Sequence, residues 1–209
     1  MGLVAADLYS HTLINQFSGQ FLEALEVAAT RVDNGSADAA CLRWFGDNSA
    51  PFKKDTAKTL RKLRSVVNIK TIRVSFQALA TRNTGENAAA WNDNSRHLNL
   101  GDSFSHVGTH GGITSEVYLN EAFSGQPSYL AKLGDGTIDD TFWNQSKFET
   151  IVHEVSHLIL GTADETYHGR TAYGAKRAAQ LARRRVNRAK NNAENWGIFI
   201  EAVGLNKSS

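Results

Sequence analysis

Apolar residues recur at helical spacing over residues 6–32, where Leu13, Phe17, Phe21, Leu25 and Val27 mark one side of a predicted helix. The polar run "DNGSAD" ends that pattern, and a second helix is predicted over Asp38–Phe45, closed by Gly46. "DTAKTLRKLRSVV" predicts a third helix with a basic outer face. "IKTIRVSFQAL" switches to alternation rich in β-branched residues, which predicts a strand. "TRNTGENAAAWNDNS" reads as a polar loop, and "HLNL" and "SEVYLNEAF" as short strands separated by the glycine-rich "HVGTHGG". "SGQPSYLAKLGDGTIDD" reads as a loop; helical periodicity returns from Gln145 to Gly161, and "GAKRAAQLARRRVNRAKNNAENW" predicts one last helix. Helices, a few strands, then helices predict an α+β fold: a single, mostly helical domain over residues 1–209 with a small β-sheet.

The helix ending at Gly161 carries His153-Glu154-x-x-His157. Histidines four apart stand one turn apart on the same face, so both rings can reach one ion. Glu154 is rotated by about 100° from His153 and can stand beside that ion without ligating it, placed to accept a proton from an attacking water. Ile151, Val152, Val155, Leu158 and Ile159 gather on the opposite side, so the histidines are expected to face a cleft. Catalytic zinc takes three protein ligands and one open position. The spacing His-x-x-Gly-x-x-His fails for the third, because those places hold Leu160 and Ala163. Asp164, seven residues past His157, is the nearest candidate once Gly161 ends the helix; Glu165, His168 and the more distant Glu194 are further candidates. Two imidazoles, a carboxylate and an open position suit one Zn²⁺ best.

Composition narrows the partners. Lys and Arg total 23 against 21 Asp and Glu, a formal charge of +2 that demands neither nucleic acid nor membrane. The run "KRAAQLARRRVNRAK" could bind a polyanion, but Ala175, Ala178, Ala179, Ala182, Val186 and Ala189 give it a small-residue packing face, so a solvated helix face is preferred. The expected partner is a protein or peptide substrate, with no nucleic acid and no membrane. Cys41 is the single cysteine, so no intrachain disulfide forms, and it reads as a small buried hydrophobe. Trp44 and Phe45 read as core anchors, and His97, His106 and His110 as loop or surface histidines. The N-terminal residues lack the basic and apolar regions of a signal peptide. Export by a non-classical route, or a mature domain separated from its export signal, is expected.

"HEVSH" followed by "GTADETY" resembles the aspzincins, the deuterolysin-type and peptidyl-Lys zinc endopeptidases, whose signature is His-Glu-x-x-His plus Gly-Thr-x-Asp-x-x-Tyr-Gly. "WFGD" at Trp44–Asp47, "EVYLNEAF" at Glu116–Phe123 and "NAEN" at Asn192–Asn195 are similar to further family landmarks in the same order. The resemblance implies a zincin-like fold and zinc-dependent peptide hydrolysis. It implies His153, His157 and Asp164 as zinc ligands, Glu154 as general base and Tyr167 as the tyrosine assisting the transition state. The "VYLN" strand resembles the edge strand along which substrate lies. Two departures stand out. Tyr167 is followed by His168 where glycine is the pattern, while Tyr173-Gly174 follows shortly after, so "HGRTA" reads as an insertion and Tyr173 as the alternative tyrosine. In lysine-specific members an acidic pair lines the pocket for the residue after the cut; Glu194 matches one of the pair and Gly197 replaces the other, which leaves lysine preference open. Fungal members carry disulfides, so this chain is more similar to a bacterial-type relative, as in a delivered toxin with an inhibitor, immunity or delivery partner. A degenerate relative that binds metal or peptide without turnover is the alternative.

Overall fold

A computed structural model of the chain describes residues 2–76, 88–92, 115–119, 121–133, 137–141 and 145–205. Strand β1 (Gly2–Ala5) leads into α1 (Leu8–Asp33), α2 (Asp38–Phe45) and α3 (Ala50–Ile69). Then come β2 (Thr71–Phe76), β3 (Ala88–Asn92), β4 (Ser115–Leu119) and the one-turn α4 (Glu121–Ser124). Helix α5 (Lys147–Leu160) carries the paired histidines, and β5 (Thr166–Tyr167) and β6 (Arg170–Thr171) form a small hairpin. The chain closes with α6 (Gly174–Arg184), α7 (Val186–Asn191) and α8 (Ala193–Gly204). The α+β, mostly helical architecture matches the sequence pattern.

Local chemistry explains the first long helix. Asp7 caps α1, accepting the Ser10 N–H at 2.8 Å through Oδ1, while its Oδ2 accepts the Phe76 N–H at 2.7 Å. One carboxylate thus starts the helix and fastens it to the end of β2. The apolar stripe of α1 is buried, with Phe17, Phe21 and Leu25 at 0–1% exposure. Phe17 and Phe21 meet Phe148 edge-on at centroid distances of 5.9 and 6.1 Å, which seats the first turn of α5 on α1. A second aromatic group, Phe45 against Phe52, Trp196 and Phe199, joins α2 and α3 to α8. Trp44 and Phe45 are buried as anchors, and Cys41 is fully buried, its thiol pushed up to about 11 by burial and the nearby Asp38.

The sheet has the order β1-β2-β4-β3, with β1–β2 and β2–β4 parallel and β3–β4 antiparallel. This corrects three sequence expectations. Residues 88–92, read as polar loop, form β3, because pairing with β4 from Ala88↔Leu119 to Asn92↔Ser115 supplies what the weak strand preference of Ala88, Ala89 and Ala90 does not. The "VYLN" strand is β4, interior to the sheet, and among the described residues the outermost strand, antiparallel and beside α5, is β3. The final helix is three helices: the backbone leaves helical geometry at Arg185 and again at Asn192, which bridges to Ala163. The predicted strand "HLNL" and the segment "HVGTHGG", with His97, His106 and His110, lie outside the described residues. Among the described residues, no helix is long and apolar enough to cross a membrane.

Gly46 closes α2 at φ 70°, and a Cβ there would stand 2.4 Å from the Ala182 carbonyl oxygen of α6. A left-handed φ and a backbone clash both oppose a side chain. Gly46→Ala is expected to cost at least about 2 kcal/mol in urea unfolding; a loss under about 0.5 kcal/mol would show that α2 and α6 do not approach so closely.

Candidate metal centre

Helix α5 is placed by both of its ends. Ser146 Oγ accepts the Glu149 N–H at 3.0 Å as the N-cap. Gly161 turns left-handed at φ 69° and stops the helix. The following residues run back alongside the α7–α8 junction. The Ala163 N–H donates to Asn191 O at 2.8 Å, Ala193 N–H to Ala163 O at 3.0 Å, and Glu165 N–H to Asn192 Oδ1 at 3.0 Å. Asp164 therefore lies between two pinned neighbours, and the backbone brings its carboxylate to the two histidines.

Three donor atoms converge there. His153 Nε2 and His157 Nε2 are 3.0 Å apart, and Asp164 Oδ1 lies 3.0 Å from the first and 3.5 Å from the second. Ligands at about 2.0–2.1 Å from one tetrahedral zinc ion stand about 3.3 Å from each other, so the triangle fits one ion. The far side of each ring is held. His153 Nδ1–H donates to Glu194 Oε2 at 3.0 Å, and His157 Nδ1–H donates to the Thr162 carbonyl at 2.7 Å. With both Nδ1 atoms used as donors, two Nε2 lone pairs face each other and call for a cation between them.

The electrostatics point the same way. Burial disfavours charge on His153, yet Asp164, Glu194 and Glu154 outweigh it and hold its pKa well above the usual histidine value. Asp164 resists its own desolvation and is held far below the ordinary carboxylate range by hydrogen bonds to both histidines. Together these groups favour positive charge at the place where the donor atoms meet. Glu154 is buried at 6% exposure and stands outside the ligand triangle, one residue round the helix from His153.

The remaining sequence candidates separate. Tyr173 caps α6, its ring centroid 5.8 Å from that of His153. Tyr167 packs instead on Ala172, Leu181, Ala182 and Ala189, with its ring 4.2 Å from the His168 ring. The hairpin between them turns at His168 (φ 51°) and Gly169 (φ 71°), and the Ala172 N–H returns to Glu165 O at 2.8 Å. Glu165 faces α7, paired with Arg188 at 3.3 Å and accepting from Asn191 Nδ2 at 2.9 Å, and His168 is exposed at the turn. Glu194, expected in a substrate pocket, lies behind His153 at 0% exposure. Helix α5 is largely embedded: His153 is 4% exposed, and the ligand triangle meets solvent through the partly exposed His157 and the exposed Asp164.

Glu149, Gln145 and Thr162 were not singled out in the sequence. Glu149 precedes His153 by four, the same spacing that joins the histidines, and that repeat was the available signal. Its oxygens are buried without a hydrogen-bond donor, one of them 3.8 Å from His153 Nδ1. Burial and the neighbouring Glu194 push its pKa well up.

Residues 114–201, less than half of the chain, match the aspzincin family model, described as lysine-specific metallo-endopeptidase. A solved structure titled zinc peptidase from Grifola frondosa is similar over 88% of this chain and 93% of that one, at 19% identity and a TM-score of 0.48. No curated protein matches.

Glu201 of α8 supports the N-cap from beneath. Its carboxylate accepts the Leu130 N–H at 2.5 Å and the Ser146 hydroxyl at 2.5 Å. Burial pushes its pKa from the ordinary 4.5 up to about 7, against the pull of those donors and Lys132. The folded state therefore keeps a proton that the unfolded chain has lost, and stability falls as pH rises through this window. Relative to Glu201→Gln, the parent should lose about 3 kcal/mol between pH 4.5 and 7 and little more above it, read by urea unfolding. A pH-independent difference would mean that Glu201 titrates at its ordinary value.

Proposed function

We propose that the chain is a zinc-dependent endopeptidase, on the premise that residues 114–201 match the aspzincin family model. The observation that carries the reading is the convergence of His153 Nε2, His157 Nε2 and Asp164 Oδ1, with each ring locked from behind. When bound, zinc supplies a Lewis acid that acidifies water and polarises the scissile carbonyl. His153, His157 and Asp164 would hold it. Glu154 accepts the proton of the attacking water and returns it to the departing amine. Its burial keeps that carboxylate out of bulk water, where its basicity would be spent on solvation.

Tyr173 is assigned as the hydrogen-bond donor to the developing oxyanion, a reading supported by its ring lying next to that of His153 while Tyr167 packs against α6 and α7. The peptide lies extended beside α5 along β3, the outermost strand on that side of the sheet among the described residues. Selection of lysine after the cut would need an acid open to the substrate, and Glu194 is fully buried against His153 and Gly174.

The test is digestion of a denatured, sequence-diverse protein with fragments read by mass spectrometry, alongside zinc analysis. Glu154→Gln is expected to keep zinc and lose nearly all turnover; substantial cleavage by that variant would overturn the base assignment. Asp164→Asn is expected to lower zinc retention, and full occupancy would remove Asp164 from the ligand set. Tyr173→Phe should reduce kcat by about 10²–10³ while Tyr167→Phe stays within a few-fold; the reverse order would return the role to Tyr167.

A further inference from the structure

Glu194 makes contacts that no pocket residue needs. One oxygen takes the His153 Nδ1–H at 3.0 Å, and the other takes the Gly174 N–H at 2.5 Å. Gln145 Nε2 adds a longer bond at 3.2 Å. The side chain is fully buried, so these donors replace the water that an ionised carboxylate would otherwise hold. Gly174 adopts φ 75°, a left-handed backbone that suits glycine and turns its N–H inward, and the residue before it is Tyr173.

We propose that Glu194 is a positioning residue that fixes the His153 ring and the Tyr173–Gly174 turn as one unit, and that it takes no part in recognising the substrate side chain. The proposal rests on the zinc-peptidase reading above. A ring rotation at His153 and a shift of Tyr173 are both opposed by the same carboxylate, so ligand and oxyanion donor keep one spacing. A substrate ammonium has no route to an anion with no exposed surface and its lone pairs already engaged.

The neighbouring turn of α8 removes the other acid as well. A Cβ at Gly197 would stand 2.7 Å from Glu149 Oε1 and 2.9 Å from the Glu149 carbonyl oxygen. The space a second acidic side chain would leave through is filled by Glu149 of α5. Helix α8 therefore offers the substrate no anionic pair, and the residue after the cut is not chosen by Glu194.

The experiment compares the parent with Glu194→Gln and Glu194→Asp in three readings. These are zinc affinity by competition with a chromophoric chelator, kcat and KM at saturating zinc, and the ratio of cuts before lysine to all other cuts in a peptide mixture. Glutamine puts an NH₂ group against one of the two N–H donors; aspartate keeps the charge but is a methylene too short to span both. Both variants should weaken zinc binding by about 10- to 100-fold and lower kcat with little change in KM, while the lysine ratio stays at the parent's value. Unchanged zinc affinity with a lost lysine preference would overturn the proposal and put Glu194 in the substrate pocket. Full recovery by Glu194→Asp would also overturn it, since charge alone would then suffice. Should Glu194→Gln fail to fold, Glu194→Asp carries the same three readings. A parent that neither binds zinc nor cleaves overturns the peptidase reading itself, whatever the variants show.

Discussion

The site depends on one buried turn, Asn192–Asn195, whose polar groups all need partners and take them from distant segments. Asn192 breaks the helix between α7 and α8 and accepts the Glu165 N–H, fixing the segment that carries Asp164. Its Nδ2 donates to Asn195 Oδ1 at 2.6 Å, and Asn195 Nδ2 donates to the Trp44 and Ala178 carbonyls at 2.6 and 3.0 Å. Glu194 between them takes His153 and Gly174. An unsatisfied buried donor or acceptor costs about 1–3 kcal/mol, so each pairing narrows where four separate stretches of chain can sit. A metal site needs ligand positions held to a fraction of an ångström, and this turn achieves that from beneath, leaving the open side free of structural duty.

The second constraint is electrostatic. Glu149, Glu154, Asp164 and Glu194 surround His153 on a helix whose opposite side, with Ile151, Val152, Val155 and Ile159, is buried in the apolar core. Buried carboxylates are tolerated when they are hydrogen-bonded, protonated or matched by positive charge. Glu194 follows the first route, and burial beside Glu194 pushes the pKa of Glu149 up, in the direction of the second. Asp164 and His153 follow the third, and a divalent cation meets their demand better than one proton does. The same burial that makes α5 a stable central helix thus makes its acidic face cation-seeking.

Much of this was legible in the sequence because it is local. The boundaries of α2, the length of α5 with Gly161 at its end, and the grouping of His153, His157 and Asp164 follow from periodicity, capping and short-range spacing. What was not legible depends on partners far along the chain. Ala88–Ala90 carry weak strand preference and become β3 only by pairing with β4. The alanine-rich run after Gly174 has unbroken helical periodicity, yet Asn192 gives up helical geometry to bridge Ala163. The direction of Glu194 is hidden for the same reason: position on a helix tells which face a side chain leaves from, not what has been packed against that face.

The tyrosine question shows how topology can restore a pattern that the linear sequence obscures. Counting along the chain puts Tyr167 three residues after Asp164, the spacing of the family signature, but it is followed by histidine. In the structure, residues 166–171 leave as β5 and return as β6, with Thr166 paired to Thr171 and the Ala172 N–H bonded to Glu165 O. The hairpin begins and ends at one point, so it can be inserted without displacing its flanks. Skipping it joins Glu165 to Ala172 and leaves Gly161-Thr162-Ala163-Asp164-Glu165-Ala172-Tyr173-Gly174. That is Gly-Thr-x-Asp-x-x-Tyr-Gly without a departure, read across the base of the hairpin instead of along the chain. The same closure delivers Gly174 to Glu194, so the tyrosine that completes the pattern is also the one the buried turn holds beside His153.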